Sequence, residues 1–288
     1  VQIIDLLNAN LTFLVGCSFV LGLLIGSFLN VVISRLPVML EIGWKSECQQ
    51  LLEIENISDS EIEKFNLIVP RSRCPSCKHL ISSLENIPLV SYLAQKGKCR
   101  HCGISISLQY PLIEIFTAIL TGFIAFKFGF SWQALFAMIL GWSLVVLAMI
   151  DFKTTLLPDN ITLPILWLGI LVNYFNLFCS LEDSVLGAIF GYLSLWLVFQ
   201  TFKVITGKEG MGYGDFKLLA LLGAWLGWQY LIAIILISSV VGSIIGITLI
   251  VTKILGRDVP TPFGPYLALG GIICLLWGPE VKSILGAF

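Results

Sequence analysis

Eight apolar runs constrain this chain more than any other feature: about 11–34, 110–128, 132–150, 160–179, 184–204, 214–228, 230–251 and 263–282. Roughly 20 helical residues cross ~30 Å of hydrocarbon. The expectation is an all-α polytopic membrane protein with about eight transmembrane helices. The sixth run is short and Gly-rich. The first is too long for a signal-peptide core, lacks a basic leader and ends in "NVVISRLP" rather than a small-residue cleavage site, so it reads as a retained span. Composition agrees: 57% of residues are hydrophobic and 12% charged, against about 25% charged in soluble domains, and the mean hydropathy is +0.93. No repeat of 20–50 residues is visible. A net charge of −1 says nothing about partners, because distribution matters more than the sum. No nucleic-acid partner is expected; the lipid bilayer is.

The bases set the expected sidedness. Residues 35–109 carry nine of the seventeen Lys and Arg. If that stretch is cytoplasmic, alternating spans place Lys153, Lys203, Lys208, Lys217, Lys253 and Arg257 there too. Only Lys127 and Lys282 fall outside, and the outer loop "SLED" (180–183) has no base.

That long loop holds "RSRCPSCKHL" and "GKCRHCGISI". Cys74, Cys77, Cys99 and Cys102 form two C-x2-C pairs separated by twenty-one residues. Each pair presents two thiolates to one tetrahedral ion, and two pairs complete a shell of four. The spacing predicts a zinc-ribbon-like domain between the first and second spans. Two disulfides are the plainer alternative, disfavoured on a reducing cytoplasmic side. His79 and His101 stand beside the thiols as competing ligands or solvated neighbours. Cys17, Cys179 and Cys274 lie in apolar runs and read as small core residues. Before the ribbon, Ser58 and Glu61 form a capping-box pattern. It predicts a short amphipathic helix with Ile62 and Phe65 on its apolar face.

Ionisable groups at the edge of a span invite a functional reading, because burying them is costly. Asp151 ends the third run in "LAMIDFKTTLLPDNITLP", and Asp215 opens the sixth in "GMGYGDFKLL". The expected topology puts both at the cytoplasmic edge, at one depth. Two carboxylates a few ångströms apart share one proton. The ionised member takes a proton from water, and the protonated member hydrogen-bonds the scissile carbonyl. Peptide hydrolysis then needs no metal. Glycines at 210, 212 and 214 let backbone approach a substrate chain. The bland reading of Asp215 is a helix cap, and it stands level with the catalytic one. Asp159, just before the fourth run, reads better as a cap than as a catalyst. Glu114, inside the second run, either supports the pair from a distance or pairs with a base. The glycines are no dinucleotide fingerprint, since no strand precedes them.

In order along the chain, "GSFLNVVISRLP" (26–37), the four-cysteine stretch (71–107), "YPLIEIFTA" (110–118), "MIDFKTTLLPD" (149–159), "GMGYGDFKLLALLGAW" (210–225) and "PFGPYLALGG" (262–271) resemble the type IV prepilin peptidase family. The resemblance covers nearly the whole chain. "LPVMLEIGWKSEC" (36–48) is similar to the family's loop as well, which makes Cys48 a family feature without a chemical role. The resemblance implies that Asp151 and Asp215 are the catalytic pair of an aspartic peptidase. It implies substrates that are type IV prepilins and type II secretion pseudopilins, cut after a Gly that separates a basic leader from an apolar helix. Members with the four-cysteine loop are bifunctional and methylate the new amine from S-adenosylmethionine. By that resemblance Gly97 belongs to the methylation half, and Glu114 matches an acidic position of the family. One structural zinc per chain is implied on Cys74, Cys77, Cys99 and Cys102. Implied too are three parts: a first span (1–34), a cytoplasmic metal domain linked to methylation (35–109) and a seven-helix peptidase domain (110–288). The implied location is the bacterial cytoplasmic (inner) membrane, with the active site facing the cytoplasm.

Two other readings compete. A transporter would use the Asp pair as a proton or ion relay, but both carboxylates sit at one face and the hydrophobic runs show no paired symmetry. A membrane-anchored ribbon scaffold would need neither eight spans nor two edge aspartates.

Overall fold

A computed structural model describes residues 9–52, 65–82, 84–208, 210–253, 256 and 261–286. The capping-box segment around Ser58 and Glu61 lies outside the described residues. The described residues are mostly helical, with turns and coil over 65–82 and 95–108, and among them the only strand-like pairings are two isolated bridges. In chain order the helices are α1 (Leu11–Leu51), α2 (Val90–Ala94), α3 (Gln109–Phe128), α4 (Trp132–Thr154), α5 (Asp159–Tyr174), α6 (Leu181–Thr206), α7 (Tyr213–Leu226), α8 (Leu231–Val251) and α9 (Gly264–Leu285). Packing divides the chain into two units, Val1–Phe130 and Ser131–Phe288.

Helices stand at all eight apolar runs, but their lengths differ from expectation. Six are long and apolar enough to cross a membrane: α1, α3, α4, α6, α8 with its preceding 3-10 turn, and α9. With 16 and 14 residues, α5 and α7 rise only about 24 and 21 Å at 1.5 Å per residue, short of ~30 Å of hydrocarbon. Each is stopped by its own chemistry. Beyond α5, the Asn173 side chain accepts the N–H groups of Phe178 and Cys179 and folds the apolar chain into a turn. Beyond α7, Gly227 takes φ +90°. At the other extreme α1 does not end at Arg35. It runs through Pro37 to Leu51 and carries a Glu41–Lys45 pair one turn apart at 2.6 Å.

Lipid tails are as apolar as leucine, so helices in a bilayer associate through close packing of small residues. In the first unit Gly22 and Gly26 of α1 face α3. A Cβ at Gly22 would sit 2.6 Å from the Ala118 Cα, and one at Gly26 would sit 2.8 Å from the Glu114 Cα. In the second unit Gly187 of α6 meets the backbone of Gly223 in α7, and Gly191 meets Leu219 and Ala220.

The centre of the second unit is α7. Eleven of its fourteen residues are buried, the signature of a helix that is apolar all round. Phe216 packs among Tyr192, Phe199 and Tyr213 at ring separations of 5.9, 5.5 and 5.6 Å. Trp225 is fully buried and its indole N–H donates to Ile165 O at 2.8 Å. The Asn173 amide donates to Ala224 O and Trp225 O at the far end of the helix. Held at both ends, α7 presents its first turn in a fixed place.

Candidate active site and metal centre

That first turn carries Asp215, 7% exposed. Its backbone N–H donates to Gly212 O at 3.2 Å, and Gly212, not Asp215, is the N-cap. From the third helical position the Asp215 carboxylate reaches back to the Gly212 N–H, so it helps to close the first turn of α7 although Gly212 holds the N-cap position. Its Oδ1 is buried and has no hydrogen-bond partner among the described residues. Asp151, 5% exposed, sits in the last turn of α4. Its Oδ2 accepts the Gly264 N–H at 2.9 Å, at the start of α9.

The two aspartates come together, within electrostatic reach of each other. Leu157, in the α4–α5 connection, packs against the glycines beside both. A Cβ at Gly214 would lie 2.7 Å from the Leu157 Cβ, and one at Gly264 would lie 3.3 Å from its Cδ1. Gly264 also has no room on the acid side, where an added Cβ would stand 2.6 Å from Asp151 Oδ2. Gly264, within "PFGPYLALGG", had no role predicted from sequence. The signal was a Gly just before a Pro at a helix start, a place where backbone N–H groups are free to bind an acid. Asp159 is separate from the pair. It is the first residue of α5 rather than its cap, and both its oxygens take the Lys217 ammonium at 2.8 Å. Both carboxyls are buried, and Asp215 Oδ1 is an oxygen without a partner among the described residues.

The four thiols of the first unit also converge. The Sγ atoms of Cys74, Cys77, Cys99 and Cys102 all lie within 4.8 Å of one another. Cys74 and Cys102 are 3.7 Å apart. Four thiolates at ~2.3 Å around one tetrahedral ion stand about 3.8 Å apart along each edge, so the cluster fits zinc. The two knuckles have the same bonds. The Cys74 N–H donates to His79 O and the Cys99 N–H to Ile104 O; the Lys78 N–H returns to Cys74 O and the Gly103 N–H to Cys99 O. Bridges Arg73–Leu80 and Lys98–Ser105 close each loop, and Lys78 and Gly103 take φ +57° and +72° at matching positions. The N–H groups of Cys77 and Ser76 hold the Cys74 thiol down at about 6. Cys77 feels the lowering pull of the His79 backbone, but burial and the neighbouring thiols push it up to about 11. His79 and His101 stack on each other at 4.7 Å.

Glu114 and Gly97 belong to this unit too. Glu114 is 8% exposed and its Oε2 accepts the Leu89 N–H at 2.8 Å. Gly97 takes φ +68° and a Cβ there would meet the Tyr92 hydroxyl at 2.8 Å. Of the remaining cysteines, Cys274 is buried and Cys179 half-buried, but Cys17 is exposed on α1 and is no core residue.

Fold and site together define a polytopic membrane peptidase of the aspartic type. The family model described as "Bacterial Peptidase A24 N-terminal domain" matches residues 20–128, and the one described as "Type IV leader peptidase family" matches residues 138–247. The chain is 51% identical to the prepilin leader peptidase/N-methyltransferase of Stutzerimonas stutzeri over 280 residues, covering 97% of this chain and 96% of the relative. It is 52% identical to that of Pseudomonas aeruginosa over 279 residues, 97% and 96%, and 48% identical to that of Dichelobacter nodosus over 271 residues, 93% of each. The chain belongs to the type IV leader peptidase family. No solved structure matches it. Membership in a peptidase family removes the support for the transporter reading.

Proposed function

We propose that this protein cuts the basic leader from type IV prepilins and type II secretion pseudopilins, after a Gly at the cytoplasmic face of the bacterial inner membrane. It then methylates the new N-terminal amine with S-adenosylmethionine. The observation that supports the first step is the buried pair of Asp151 and Asp215 beneath Leu157 and Gly264. The pair shares one proton. Its ionised member takes a proton from the attacking water, and its protonated member hydrogen-bonds the scissile carbonyl. The tetrahedral diol collapses as the roles reverse and the amine leaves. Asp215 Oδ1, without a partner among the described residues, is the oxygen that would take up the hydrogen bond to the carbonyl. A basic leader stays in the cytoplasm and the apolar helix behind it stays in the bilayer. The scissile bond therefore belongs at the membrane edge, where the basic loops put both acids.

Cys74, Cys77, Cys99 and Cys102 hold one zinc per chain. Four thiolates leave no position for a water, so the ion orders the loop and does no catalysis. The loop and Glu114 serve the methylation half, with Gly97 shaping it. The names of the relatives support two activities in one chain. The deciding experiment incubates purified protein with a prepilin, with and without S-adenosylmethionine, and weighs the product. Leader loss in both samples and one added methyl in the second are expected. An intact prepilin would end the peptidase reading, and a trimmed but unmethylated product the methyltransferase reading.

A further inference from the structure

The first unit contains a cavity of about 520 Å³. It lies between α1, α2, the start of α3 and the two cysteine knuckles. Its size suits one ligand of nucleoside dimensions. Asn30 and Glu114, the latter hydrogen-bonded by the Ser27 hydroxyl, line it from the spans α1 and α3, with Arg35 also on α1; Arg73 and Arg100 line it from the knuckles, with Glu85 near Arg100. Tyr92 forms part of the wall between.

Asn30 is the least explained of these residues. It is 3% exposed, and its Nδ2 donates to Gly26 O at 3.2 Å and Tyr110 O at 3.1 Å. Two carbonyl acceptors fix which end of the amide is nitrogen. The Asn30 Oδ1 is then a buried acceptor with no donor among the described residues, a condition native proteins rarely leave without a reason. Leu89, whose N–H is held by Glu114, takes φ +59°, a left-sided backbone that leucine seldom adopts. Both departures from ordinary structure fall on one cavity.

We propose that this cavity is the methyl-donor site and holds an adenosyl sulfonium. The sulfonium lies at the Ser27–Asn30–Glu114 end, and the donor's carboxylate faces Arg73 and Arg100. The inference rests on the methyl-transfer reading above. The placement follows from the acceptor. A trimmed substrate carries its new amine at the top of an apolar helix, so the methyl group must be delivered from the membrane end of the cavity, the end built by α1 and α3. The substrate ammonium first releases a proton to water. The neutral amine then forms the N–CH3 bond as the S–CH3 bond breaks, leaving a thioether and an N-methylammonium. Positive charge moves from sulfur to nitrogen and stays beside the Glu114 carboxylate throughout, so the carboxylate need not reorganise.

The test compares S-adenosylmethionine with S-adenosylhomocysteine, which lacks the sulfonium charge. Binding of each to zinc-loaded full-length protein in detergent is measured by calorimetry, for wild type, Glu114→Gln and Tyr92→Ala. Zinc content and melting temperature serve as folding controls. The amide oxygen of Gln can still accept the Leu89 N–H. Glu114→Gln is expected to weaken the sulfonium by about tenfold or more relative to the thioether, and Tyr92→Ala to weaken both. If wild type binds and methylates but both variants bind both ligands as wild type does, the cavity assignment is wrong. If wild type neither binds the donor nor methylates, the methyl-transfer reading falls with it.

Discussion

The Gly264 N–H donates to Asp151 Oδ2 at 2.9 Å, joining the first residue of α9 to the last turn of α4 across 113 positions of sequence. The bond fixes the carboxylate's rotamer, and it requires glycine because an added Cβ would stand 2.6 Å from the same oxygen.

Gly264→Ala should therefore cripple leader removal. A carboxylate displaced by even an ångström loses about a hundredfold in rate. Methylation of a substrate that is already trimmed should persist, since Gly264 and the cysteine loop lie in different packing units. Time courses with intact and pre-trimmed prepilin separate the two activities. Equal loss of both would mean that the substitution unfolds the protein.

Asp151→Asn and Asp215→Asn should each reduce cleavage by about 10³-fold or more, as removal of a general acid or base does. Asp159→Asn breaks only a solvent-facing pair with Lys217. Such pairs contribute ~0–1 kcal/mol, so cleavage should stay within about twofold of wild type. Quantified gels of leader loss check all three. A dead Asp159→Asn would mean that the wrong pair has been named.

These three aspartates show how far sequence reaches. Asp151 and Asp215 were legible because an acid at the edge of an apolar run is chemically conspicuous. The four cysteines were legible because metal spacing is local. The partner of Asp151 was not, since a backbone N–H leaves no side-chain signal. Span lengths were misread for a related reason. Hydropathy counts Phe175–Cys179 as membrane helix, but the buried Asn173 amide turns that stretch back on itself. Hydropathy also marks Arg35 as the end of a span, where α1 continues for four more turns because leaving a bilayer does not end a helix. Gly22 and Gly26 had no role assigned from sequence; their contact with the α3 backbone at Ala118 and Glu114 emerges only in the structure.

Metal removal should disorder the loop while sparing the aspartate pair. Fresh reduced protein is expected to contain about one zinc per chain, and Cys74→Ser to lose it. Binding requires thiolates, so acidification should release the ion as protons compete for sulfur. Hydrogen exchange over 71–107 should rise sharply in the chelated protein and stay unchanged in α7. Metal analysis of wild type finding none would remove the ribbon from the account.

The α6–α7 contact should be intolerant of any side chain. Gly187 meets the Gly223 backbone directly, so Gly187→Val must push the two helices apart. Overpacking of this kind costs about 1–3 kcal/mol. A lower melting temperature in detergent is expected, together with slower cleavage, because α7 is the helix that delivers Asp215. Gly246→Val in α8 is the control, since nothing lies within 4 Å of a Cβ there.

Gly97 offers the converse separation. Its φ of +68° is unfavourable for any residue with a Cβ, and its backbone is committed on both sides. Its N–H donates to Tyr92 O at 2.9 Å, and its carbonyl accepts the Ile106 N–H at 2.7 Å. An alanine there cannot relax by rotating the chain without breaking one of those bonds. The remaining outlet is the Tyr92 ring, whose hydroxyl would lie 2.8 Å from the new carbon. Gly97→Ala should therefore shift Tyr92 and lower methylation by about tenfold or more, with zinc content and leader cleavage near wild type. Tyr92→Phe, which removes the hydroxyl nearest the new carbon, should partly restore methylation in the double variant. Mass measurement of the product reports both activities at once. Failure of Tyr92→Phe to restore any methylation would show that Gly97 acts through the knuckle backbone rather than through the ring.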